Sequence, residues 1–147
     1  MAGAGDHADV SELQRTLREL SDRQEIADLV ASLGRWLDDD TFDDSDGLFT
    51  ADVSADTPGG TAHGREAVVA QARRGHSGRR CQHLITDLRT QLRGERASVE
   101  ANFMVAFAGT THTEPTRFTG ARYHLEASRE SGHWLLTAIR ITPIWHA

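Results

Sequence analysis

Along the first part of the chain the apolar positions return every three or four residues. Val10, Leu13, Leu17 and Leu20 come first, then Ile26, Leu29, Val30, Leu33, Trp36 and Leu37. That period is one face of an α-helix. Asp9 with Glu12 has the form of a capping box ahead of the first set, and Ser21 with Gln24 offers a second start. The acidic run DDDTFDDSD, residues 38–46, ends the helical region. A short helical turn is predicted over 43–49, and another helix over 65–74, after Gly64.

From residue 52 onward the period shortens to two, which is the signature of strands. Strands are predicted over 52–57, 81–92, 96–108, 118–129 and 133–145. The tripeptide PGG stops the first, while RGE and ESG make tight hairpin turns between the later pairs. In NFMVAFA, Phe103, Val105 and Phe107 share one face and Met104 and Ala106 the other. Both faces therefore ask for a cover. The long helix is one, and a second subunit is expected as the other, making a homodimer. Helices first and strands afterwards give an α+β fold, with a long N-terminal helix and short helices on a strongly curved, mixed or antiparallel sheet.

At 147 residues the chain fits one domain. Residues 1–8 read as a disordered lead and residues 9–147 as the domain. With 38% hydrophobic and 26% charged residues, the composition belongs to an ordinary globular protein. No apolar run approaches the ~20 residues of a membrane span. Cys81 is the single cysteine, so no internal disulfide forms and a cytoplasmic setting is expected. The formal net charge of −6 argues against nucleic acid as a partner, and ARRGHSGRR at 72–80 reads as a solvated loop. His7, His63, His76, His112, His124, His133 and His146 show no metal-ligand spacing, so no metal is expected. Phosphate-binding glycine motifs are absent from the sequence.

One histidine stands apart. His83, in RRCQHLITDL, shares a strand face with Cys81 and Ile85. A histidine on such a face, once buried, needs hydrogen-bond partners. A carboxylate on one ring nitrogen would fix the tautomer and raise the basicity of the other, which is what a general base requires. On the helix, Asp38 lies in line with the small residues Ala27, Ala31 and Gly34. Asp40 falls nearer the centre of the apolar face, beside Leu33 and Trp36, and is the competing carboxylate. Asp38 is preferred because Asp40 lies past the last turn.

The segments RQEIADLVASLGRWLDDDTFDDSDGLFTADVSAD, GREAV, RCQHLITDL, GERASVEANFMVAF and GHWLLTAIRITPIW together resemble the SnoaL-like branch of the nuclear-transport-factor-two-like superfamily. The likeness extends over most of residues 22–146. It implies a conical half-barrel whose open end holds small apolar ligands, usually with no metal or organic cofactor. Within it the functional likeness is to scytalone dehydratase and polyketide cyclase relatives. In the dehydratase family an aspartate after the long helix orients a histidine that moves a proton beside a carbonyl. Asp38 and His83 stand at those places. That family's tyrosine before the aspartate is Leu37 here, its strand tyrosine is Thr57, its second histidine is Phe107, and its asparagine is Tyr123. Trp36 and Trp145 read as core or pocket wall by their aromatic character, and with Thr57, Phe103, Phe107 and Tyr123 they are the candidate ligand contacts. The resemblance implies a cofactor-independent dehydratase, isomerase or cyclase. The alternatives are a non-catalytic binder of the same fold and, less well matched, an epoxide hydrolase, whose second aspartate has no inward position here.

Overall fold

The computed structural model describes residues 3–111 and 113–147; His112 lies outside the described residues. Helix α1 runs over Ala4–Asp38 as one 35-residue element. Residues 4–8, expected as a disordered lead, belong to it. So do both expected starts, Asp9 with Glu12 and Ser21 with Gln24. Neither caps anything, because no proline or glycine interrupts the chain from Asp6 to Leu33 and the helix simply continues. Asp6 in the first turn complements the helix dipole, and the Gln24 amide donates to Asp28 instead of capping.

Strand β1 covers Phe49–Thr57 and β2 covers Gly60–His63. The PGG tripeptide read as a stop is the bend between them, with Thr57 paired to Gly60. Thr57 Oγ1 accepts the Gly59 amide hydrogen and holds the bend. Residues 43–49 close turns rather than a helix; Leu48 N–H donates to the Ser45 carbonyl at 3.1 Å. Helix α2, Arg65–His76, is tethered over this segment by Arg65 to Asp46 and Arg73 to Asp43.

Four long strands complete the chain: β3 Arg79–Arg93, β4 Arg96–Gly109, β5 Arg117–Glu130 and β6 His133–His146. The six strands form one sheet in the order β2-β1-β6-β5-β4-β3. All neighbours are antiparallel except β1 and β6, so the sheet is mixed. The β5–β6 turn carries Ser131 and Gly132 at φ 51° and 82°, the pattern of a type I′ hairpin. Asp87, at φ 57°, marks a bulge in β3, and β6 shifts register twice against β5. Bulges bend strands, and these help wrap the sheet around α1.

The core lies between that curved sheet and the C-terminal half of α1. Ile26, Val30 and Leu33 of the helix and Val53, Val99 and Leu125 of the sheet are almost wholly buried. At the end of the domain away from Asp38, buried Asp22 accepts from Arg129 at 2.6 Å and from the Trp134 indole at 3.2 Å. No described helix is long and apolar enough to cross a membrane.

Candidate active site

The position of β3 against α1 sets the site. Gly34 is buried, and a Cβ there would stand 3.1 Å from Ile85 Cδ1 and 3.8 Å from His83 Cβ. A residue this small leaves the tip of Ile85 its room where strand and helix approach closely. Ala31, on the same small-residue stripe, is exposed. One turn beyond Gly34, Asp38 ends the helix and meets β3.

The Asp38 carboxylate grips His83 twice. The His83 backbone N–H reaches both carboxylate oxygens at 3.0 Å, and His83 Nδ1 lies 2.6 Å from Oδ1. An ionised carboxylate only accepts, so Nδ1 carries the hydrogen and Nε2 is left with its lone pair. The Cys81 thiol donates to the same Oδ1 at 3.6 Å. These donors offset the poor fit of an anion at a helix C-terminus. Asp40, the competing carboxylate, is exposed beyond the helix at φ 56°.

Nε2 of His83 has no hydrogen-bond partner among the described residues, and the ring borders a cavity of about 230 Å³. The imidazole is 3% exposed. Burial lowers its pKa below the ordinary histidine value, with Asp38 partly opposing, so the ring is neutral at pH 7. Burial, reinforced by Asp38, pushes the Cys81 thiol up to about 12, which makes it a hydrogen-bond donor and a poor nucleophile. Among the described residues, Asp38, Cys81 and His83 also present ligand atoms within 4.8 Å of one another. A cation there would need the thiolate and would break the Asp38–His83 hydrogen bond, so the set fits a metal poorly.

Trp36, Thr57, Phe103, Phe107 and Tyr123 all border the cavity. Phe103 stacks on Tyr123 with ring centroids 4.2 Å apart, and Trp36 packs edge-on against Phe42 and Phe49. Burial raises the Tyr123 pKa, so its hydroxyl stays a donor. Trp145 departs from expectation. It stands on the outer face, 44% exposed, across Gly120, whose Cβ position the indole would overlap. Pro143 pairs with Ala121 but Trp145 pairs with Gly120, so Ile144 is an extra residue that turns Trp145 away from the cavity.

Two cavity groups escape a reading of the sequence alone. His76 comes from the last turn of α2, inside the segment read as a solvated loop. Its signal was there: Val68, Ala72 and His76 follow at intervals of four and all face the cavity. Thr119 shares a strand face with Tyr123, and its hydroxyl is buried with no partner among the described residues, as is the Trp36 indole N–H.

The fold has many solved relatives. A protein from Novosphingobium aromaticivorans named provisionally as a scytalone dehydratase is 16% identical, with TM-score 0.80 over 90% of each chain. The hexachlorocyclohexane dehydrochlorinase LinA-type3 from Novosphingobium barchaimii is 18% identical, with TM-score 0.78 over 90% of this chain and 92% of that one. ActVI-ORFA from Streptomyces coelicolor is 18% identical, with TM-score 0.71 over 82% and 96%. At such identities they establish the fold alone. No protein of curated function matches the chain. The profile of the SnoaL-like domain matches residues 18–140, which contain the helix end, all of the cavity lining but Ile141, and both members of the Asp38–His83 pair. By that match the chain belongs to the SnoaL-like domain family.

Proposed function

We propose that the protein is a cofactor-independent acid–base enzyme acting on a small, mostly apolar, oxygenated substrate of polyketide-like class. The observation that carries this reading is the 2.6 Å bond from His83 Nδ1 to Asp38, with Nε2 left over at an apolar cavity. Neutral His83 removes a proton from a carbon beside a carbonyl. The carbon's electron pair moves toward the carbonyl oxygen, and the Asp38 carboxylate stabilises the imidazolium that forms. Tyr123, held protonated, is the donor for the enolate-like oxygen. If His83 then gives its proton to a departing hydroxyl, water is lost and a double bond forms. If it returns the proton to another carbon the product is an isomer, and attack by the enolate carbon closes a ring. The names of two structural neighbours, a dehydratase and a dehydrochlorinase, favour elimination.

The test is conversion of a panel of β-hydroxy ketones, followed by mass spectrometry. His83→Ala and Asp38→Asn should each lower kcat/KM by about 10²–10⁴ while the fold is retained. Full turnover in both variants would overturn the mechanism.

A non-catalytic binder is the second reading, favoured by Leu37 and Phe107, two carbon side chains at the cavity wall where the dehydratase resemblance places a tyrosine and a histidine. Binding of the same panel without conversion across about pH 5–9 would select it.

A homodimer in a cytoplasmic setting completes the proposal. Leu84, Met104 and Trp145 lie in one row across the outer face of β3, β4, β5 and β6, in register through Gly120, and all are well exposed. A second copy covering that row would remove it from water. A monomer mass in sedimentation at micromolar concentration would contradict this.

A further inference from the structure

The geometry points to His76 as a second residue that touches the substrate: its Nε2 accepts the hydrogen of a substrate hydroxyl while the substrate's acidic carbon lies at His83 Nε2. The inference rests on the cavity being the substrate site.

Hydrogen-bond direction settles the tautomer. His76 Nδ1 is 2.8 Å from the carbonyl oxygen of Ala72, one turn earlier in α2. A carbonyl only accepts, so Nδ1 holds the hydrogen and Nε2 of the neutral ring presents a lone pair. His83 has the same arrangement for a different reason, its Nδ1–H being bound by Asp38. Two imidazoles from different elements thus have the same nitrogen occupied and the same nitrogen left without a described partner. Their ring centroids are 5.6 Å apart and both border the cavity, so one small molecule reaches both.

The groups around His76 keep it an acceptor. Phe42 and Phe107 flank the ring at centroid distances of 6.4 and 5.8 Å. Its pKa lies below the usual value. Burial is the main cause, the Ala72 hydrogen bond opposes it, His83 and Arg79 lower it further, and Asp38 raises it. A neutral Nδ1–H imidazole offers nothing to a carbonyl oxygen, but it suits an O–H donor. The substrate class this selects carries a hydroxyl within a ring's width of its carbon acid: a β-hydroxy carbonyl compound, an enol or a phenol. Cavity size agrees, since a cavity of about 150 Å³ already admits benzene and this one is about 230 Å³.

Phenol and toluene, nearly equal in shape, are the probes. Binding is followed by NMR titration of the full chain, with melting curves to check each variant's fold. Wild type should bind phenol about three- to tenfold more tightly than toluene, the worth of one hydrogen bond. His76→Phe should lose that preference with His83 intact, and His76→Gln, which restores an acceptor oxygen, should recover part of it. In ¹⁵N-histidine spectra, phenol should shift His76 Nε2 and toluene should not. No preference in wild type, a preference that survives His76→Phe, or a His76 found with its hydrogen on Nε2 would each overturn the assignment. The acid–base reading fails separately, since catalytic conversion is read at His83 and Asp38 and phenol selectivity at His76.

Discussion

The two halves of α1 carry the same sequence pattern and meet opposite fates. In the first half Val10, Leu13, Leu17 and Leu20 repeat every three or four residues, and each is 52–60% exposed. In the second half Ile26, Leu29, Val30, Leu33, Trp36 and Leu37 repeat in the same way, and none exceeds 7%. Period states that a helix has an apolar side; it does not state what that side meets. The second half is placed by the sheet, by Asp22 at one end and by Asp38 at the other, and the site comes with that placement.

This contrast can be broken by experiment, beginning with the largest effect. Leu33→Ala removes a core side chain at the cavity and should cost about 2–5 kcal/mol in urea unfolding. Acidification comes next. Burial lowers the pKa of His83 and of His76. Just below about pH 6.5 the unfolded chain therefore binds more protons than the folded one. Stability from these groups is fully present above that pH and is lost as pH falls through the folded values. Melting temperatures should drop between pH 7 and 5, and His83→Phe should flatten the drop. Gly34→Ala should shift stability by less than about 1 kcal/mol. A helix-propensity gain of roughly 0.5–1 kcal/mol is set against a 3.1 Å approach to the movable tip of Ile85. Smallest of all, Leu17→Ala should stay within about 0.5 kcal/mol, as exposed substitutions do. A Leu17→Ala cost equal to that of Leu33→Ala would mean that the first half is packed in solution too, and the contrast would dissolve.

The same contrast explains what the sequence made legible. Alternation bounded by RGE and ESG located β3 to β6 to within two residues at either end, because side chains on a half-buried sheet must alternate. Strand β2 escaped because GTAH has no apolar alternation; its partner β1 defines it. The first half of α1 was read with false starts at Asp9 and Ser21, since capping signatures inside an uninterrupted helix have no free N–H groups to satisfy. Asp38 and His83 were readable from helix phase, strand phase and the family resemblance together. His76 was hidden by the arginines around it, which mask a four-residue period. Trp145 was misplaced by a single extra residue in β6, which no local pattern announces.

The double grip of Asp38 on His83, through main chain and ring at once, has a consequence for assembly. Sliding β3 by one place against the helix would bring a different amide to the carboxylate and turn the imidazole to the opposite side of the sheet. No intermediate arrangement keeps half of the contact. The placement of the Asp38–His83 pair is thus tied to correct threading of a single strand, and a misassembled copy would lack the pair altogether.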